Sequence, residues 1–134
     1  MKETQRYFLR KADRLKSTRL IDDIFKKGKS FSNFPFRVIW MQGNKFTLQA
    51  AVGVSSRNFK KAVDRNRIKR LMREAYRLQK HELHETLVQK DNSLSIFILY
   101  NGNELPKYEL VHEKMGSILK RLIKFINEND PADI

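Results

Sequence analysis

A chain of 134 residues with 40% hydrophobic side chains can bury a modest core, but its net charge of +13 is far more cationic than a fold of this size needs. It has no cysteine, which excludes a disulfide framework, a thiolate zinc site and a cysteine nucleophile, and which fits a reducing cytosol. No apolar run approaches the roughly 18 residues of a membrane span, and the N-terminus is charged where a signal peptide needs an apolar segment. The expectation is one cytoplasmic domain over 1–134, with no membrane association.

The charge is a patch and not a coat. Residues 1–19 contribute +5, 20–55 contribute +3, 56–81 contribute +8, and 82–134 contribute −3. Such a distribution is the footprint of a polyanion-binding surface.

In chain order, residues 1–16 are basic with few apolar side chains and read as an arm that orders only in part without a partner. Ser17 or Thr18 can cap a short helix that Gly28 stops, with Leu20, Ile21, Ile24 and Phe25 as its apolar stripe. An extra short strand fits near Ser30–Ser32. Residues 34–41 and 46–55 read as strands, with Gly43-Asn44 between them as a tight hairpin turn. Phe34, Phe36, Val38 and Trp40 share one parity; Arg37, Ile39 and Met41 share the other. In the second strand, Thr47, Gln49, Ala51, Gly53 and Ser55 form a face of small or polar side chains that an extended ligand can approach closely. Aromatics beside cations on a sheet suit single-stranded nucleic acid, which makes Phe36, Ile39 and Trp40 candidates by neighbourhood.

The stretch Arg57–Lys80 carries ten Lys or Arg against Asp64 and Glu74 alone. On a helix at about 100° per residue, Arg65, Asn66, Lys69, Arg70, Arg73 and Arg77 fall within one arc. Ile68, Leu71, Met72, Ala75 and Leu78 gather on the other side. The row Arg65/Lys69/Arg73/Arg77 repeats like charge at every fourth residue, which is unfavourable in an isolated helix unless a polyanion offsets it. Arginine dominates the arc, and its fork suits phosphate oxygens.

Residues 80–93 extend this helix and then turn. His81 and His84 lack metal-ligand spacing and read as a charge-balanced helix end. Residues 94–100 are apolar almost throughout, as in a strand buried on both faces. From about Lys107 a last helix carries Leu110, Val111, Met115, Ile118, Leu119, Leu122 and Ile126 at helical spacing, and Asp130-Pro131 ends it. The fold class is therefore α+β, a two-layer sandwich with one small, mainly antiparallel sheet and an αβββαβα order. No catalytic constellation stands out. Asp22 and Asp23 are adjacent on a helix and diverge, and no carboxylate cluster suits two metal ions.

The segment Ala62-Val63-Asp64-Arg65-Asn66-Arg67-Ile68-Lys69-Arg70-Leu71-Met72-Arg73-Glu74-Ala75-Tyr76-Arg77 resembles the signature helix of the bacterial ribonuclease P protein component. That helix reads A-V-x-R-N-R-x-K-R-x-x-R-E and follows a strand with a Ser/Lys-rich end. Where the family pattern has two lysines, this chain has Ser56-Arg57, and Ile21 stands where some relatives have an aromatic.

The resemblance implies a left-handed βαβ crossover around the basic helix and a role in endonucleolytic removal of the 5′ leader from precursor tRNA. It also implies that the RNA subunit holds Mg²⁺ and supplies the active site, so that the protein carries no catalytic residue of its own. Arg57, Arg65, Asn66, Arg67, Lys69, Arg70, Arg73 and Arg77 are then the expected RNA-binding residues. Phe25, Phe36, Lys60, Lys61 and Lys69 are the expected leader contacts. Two other classes fit the charge and size: a non-catalytic RNA-binding protein of ribosomal type, and a DNA-binding regulator that lays the basic helix in a major groove.

Overall fold

The computed structural model describes residues 18–43 and 47–128. The elements run α1 (Thr18–Lys27), β1 (Lys29–Asn33), β2 (Phe36–Gln42), β3 (Leu48–Val54), α2 (Ala62–Gln79), α3 (His81–Gln89), β4 (Leu94–Tyr100) and α4 (Tyr108–Glu128). The expected arm over 1–16, Ser17 and the side chain of Thr18 as caps of α1, Asn44 and the Asp130-Pro131 stop lie outside what is described.

The strands form one mixed sheet in the order β1-β2-β4-β3. β1 and β2 pair antiparallel, as do β2 and β4, whereas β3 runs parallel to β4. This corrects the hairpin expected across Gly43-Asn44. β4 lies between β2 and β3, so that connection joins strands that do not touch. Gly43 does turn the chain, with φ of 89°. The hairpin is instead β1–β2, turning through Phe34-Pro35, whose peptide bond is cis. The short strand expected near Ser30–Ser32 is β1. The parallel neighbours β3 and β4 are joined by α2 and α3, which together form the crossover.

Strand parity divides the sheet into two unlike faces. Phe36, Val38 and Trp40 on β2 stand beside Tyr100, Ile98 and Ile96 on β4, and Val54, Val52 and Ala50 continue the row on β3. This face packs against the buried side of α2 (Ile68, Met72, Ala75, Tyr76) and of α4 (Val111, Met115, Ile118, Leu119, Leu122, Ile126), with Leu83 and Leu87 of α3. Leu78, expected on the apolar side of the basic helix, is instead 37% exposed, and Tyr76 takes the buried place. Leu110 of α4 is likewise exposed.

The other face carries Arg37, Ile39 and Met41 beside Leu99, Phe97 and Ser95, with Gly53, Ala51 and Gln49 beyond. Among the described residues α1 covers it, over β2 and β4, through Ile24 packed on Ile39. Gly28 ends α1 with its N–H donated to the Ile24 carbonyl at 2.8 Å. A Cβ there would lie 2.5 Å from that carbonyl oxygen and 2.8 Å from that of Trp40, so only glycine fits.

Candidate nucleic-acid interface

The basic stretch is a loop followed by a helix. Arg57 to Lys61 precede α2, and their backbone is fastened at both ends. The Ser55 N–H donates to the Tyr100 carbonyl at 3.2 Å, and the Phe59 N–H donates to the Ser55 carbonyl at 3.2 Å. The Asn58 side-chain amide donates to the carbonyls of Asn101 and Gly102, each at 3.1 Å. Phe59 is buried beside Tyr100, with ring centroids 6.1 Å apart. One apolar anchor and one amide staple thus hold a short loop against the end of β4. Arg57, Lys60 and Lys61 remain exposed on it.

Arg65 completes the loop. Its guanidinium donates to the Phe59 carbonyl at 2.7 Å and to the Lys60 carbonyl at 2.9 Å. Its first job is therefore to brace the entry to α2, where no side chain caps the helix. Charge-assisted bonds of this kind contribute more than neutral ones.

Beyond it, Asn66, Arg67, Arg70 and Arg73 are exposed and Lys69 is half-buried. Among the described residues Arg67, Lys69, Arg70 and Arg73 have no ion-pair partner. Arg77 does: it forms a two-pronged ion pair with Glu74, Nε to Oε1 at 3.1 Å. The bonded guanidinium holds the Glu74 carboxyl below its usual range and raises Arg77 in turn. The interface is thus graded, with open cations at the start of α2 and a neutralised pair at its end.

The second face of the sheet carries an aromatic edge beside the small residues expected to admit an extended ligand. Phe25 is 50% exposed and tilts against Phe97, with centroids 5.0 Å apart. Phe97 in turn lies over Gly53, where a Cβ would come within 2.8 Å of the ring. An aromatic pair therefore borders the small residues Ala51 and Gly53 of edge strand β3, which leads directly into the Arg57–Lys61 loop.

Phe36 is not part of this surface. It is 1% exposed, faces the α2/α4 core and packs on Tyr100 at 5.4 Å, so it is corrected from leader contact to core residue. Trp40 and Ile39 are buried as well. Phe97 is hidden in the almost continuous apolar run Leu94–Tyr100. Its only sequence signal is parity, since it stands across from Ile39 and Ala51 and not from Val38.

No three His, Cys, Asp or Glu gather in a metal-holding arrangement among the described residues. No helix among them is long and apolar enough to cross a membrane.

A model of the family Ribonuclease P matches residues 9–123. A ribonuclease P protein component of Porphyromonas gingivalis is 36% identical over 117 residues, spanning 85% of each chain. One from Chlorobium phaeobacteroides is 31% identical over 128 residues, spanning 85% of this chain and 87% of the relative. The ribonuclease P protein of Thermotoga maritima superposes with a TM-score of 0.65 at 27% identity, over 81% of this chain and 96% of that one. That of Staphylococcus aureus shares the fold, with a TM-score of 0.68 at 24% identity, over 84% and 96%. The fold, the basic helix and the span of these matches agree, and the chain belongs to the bacterial ribonuclease P protein family.

Proposed function

We propose that this protein, as a ribonuclease P subunit in tRNA processing, docks on the catalytic RNA through α2 and its entry loop. In the same reading it guides the single-stranded 5′ leader of precursor tRNA along the second face of the sheet. Arg57, Asn66, Arg67, Lys69, Arg70 and Arg73 meet the RNA backbone. Arg65 positions them by fixing the loop, and Arg77 contributes from its pair with Glu74. Lys60 and Lys61 sit where the loop meets α2 and take leader phosphates, with Lys69 further along that helix. Phe25 and Phe97 offer the leader an aromatic edge for stacking that tolerates any base.

The observation that carries this reading is the fastened loop. A stretch of cations held by Asn58, Phe59 and Arg65 is presented without the entropy cost of ordering it on binding. In this reading Mg²⁺ held by the RNA would supply the chemistry of phosphodiester hydrolysis, as the family resemblance implies. The protein's part is electrostatic. Its cations offset phosphate repulsion in the assembled RNA, which lowers the Mg²⁺ needed.

Reconstitution with the cognate RNA tests this. Adding the protein at low Mg²⁺ should strongly stimulate precursor cleavage, and the stimulation should fade as monovalent salt rises. An Arg67→Ala/Arg70→Ala protein that stimulates as well as wild type would remove α2 from the docking surface. Recovery of ribosomal RNA without the ribonuclease P RNA from cells would favour a ribosomal-type binder.

A further inference from the structure

Seven large hydrophobic side chains are exposed among the described residues, and three of them, Phe34, Leu105 and Leu110, line a single groove of about 400 Å³. That clustering is not the scatter expected of an ordinary surface. Phe34 is 76% exposed at the tip of the β1–β2 hairpin. Its floor is firm: the Tyr100 hydroxyl donates to the Glu104 carbonyl at 2.6 Å, and Gly102 lies so close to the Tyr100 ring that a Cβ would come within 2.4 Å. A volume of this size is within the range of small-ligand pockets.

Two observations say what covers it. Lys107 and Lys114 stand at the rim against the single acid Glu104, so an occupant with an aromatic body and an anionic end is favoured. The floor residue Gly102 is also the one that the Asn58 amide fastens, so the groove is continuous with the loop that carries Arg57, Lys60 and Lys61. Tyr100, Leu110 and Lys114 put it on the α2/α4 side of the sheet, away from Phe25 and Phe97.

We propose that this groove holds one unpaired nucleotide of the catalytic RNA, its base stacked on Phe34 between Leu105 and Leu110 and its phosphate paired with Lys107 and Lys114. The proposal rests on the docking of α2 on that RNA and adds an aromatic contact to it.

Binding of the full protein to the catalytic RNA, titrated over a range of salt, separates the two ideas. Phe34→Ala should weaken binding by about 5- to 100-fold with an unchanged salt slope, because stacking releases no counterions. Lys107→Ala/Lys114→Ala should weaken it and lower the slope by about 2. Phe34→Trp should keep the affinity, and its fluorescence, read against wild type with its own buried Trp40, should show added quenching by the catalytic RNA but not by precursor tRNA alone. The pocket falls if Phe34→Ala binds like wild type while Arg67→Ala/Arg70→Ala does not. It also falls if precursor tRNA alone quenches the tryptophan. If neither the Phe34 nor the arginine variant changes binding, the docking reading fails as well. Phe34 is too exposed for its truncation to unfold the chain, and circular dichroism of each variant confirms this.

Discussion

The two faces of the sheet are built from the same strands and do different work. On one, Phe36, Val38, Ile96 and Ile98 vanish beneath α2 and α4. On the other, α1 covers only Ile39 and its neighbours, and Ala51, Gly53 and Phe97 stay partly open. Stability comes mainly from the first face, whereas the second keeps apolar surface open to solvent. Ile98 and Phe97, adjacent on β4, stand on opposite sides of that division.

The sharpest way to break this comparison is to truncate those two neighbours. Ile98→Ala should lower unfolding free energy by about 2–5 kcal/mol in a urea titration, because it opens a cavity in a closed core. Phe97→Ala should cost less stability but weaken single-stranded leader binding more, and a reversed ranking would mean that the faces are misassigned. Next in size, Phe25→Ala should reduce leader affinity by about 1–3 kcal/mol and change stability by no more than about 0.5 kcal/mol.

Smaller still is Arg65→Lys, which removes the fork that holds Phe59 and Lys60. It should lower stability by about 1 kcal/mol and weaken RNA binding with little change in salt slope, whereas Arg70→Ala should lower that slope by about 1.

The smallest effect is that of pH on the Glu74–Arg77 pair. Glu74 has its folded pKa below the ordinary 4.5, so its contribution is full above that value and is lost as pH falls through the folded pKa. The melting-temperature difference between wild type and Glu74→Gln should therefore shrink between about pH 5 and pH 3 and stay flat above.

Much of this was legible in the sequence because local periodicity carries it. The stripe on α4, the parity sets of β2 and the cationic arc of α2 all follow from side-chain spacing. Pairing was not legible. Gly43-Asn44 gave a valid local turn signal, but which strands become neighbours depends on Leu94–Tyr100, which lies some fifty residues further on. A run apolar at both parities must lie in the middle of a sheet, and that rule could have placed β4 between β2 and β3. Phe36 was misjudged for a related reason: parity says which residues share a face, but not which face meets solvent. The grip of Arg65 on the loop was invisible too, because a guanidinium that binds its own backbone looks in sequence like one awaiting a phosphate.

The position of β4 also sets an order of events during synthesis. Among the described residues, the bonds that tie the entry loop of α2 to the rest of the fold go to Tyr100, Asn101 and Gly102, and β3 pairs with β4 alone. While the ribosome has released the chain only as far as α3, every cation of α2 has emerged but the loop that leads into it has no strand end to be fastened to. The last strand to join the sheet therefore acts as a completeness check: a chain cut short before residue 100 carries the charge of α2 but lacks the strand end that fixes its entry loop.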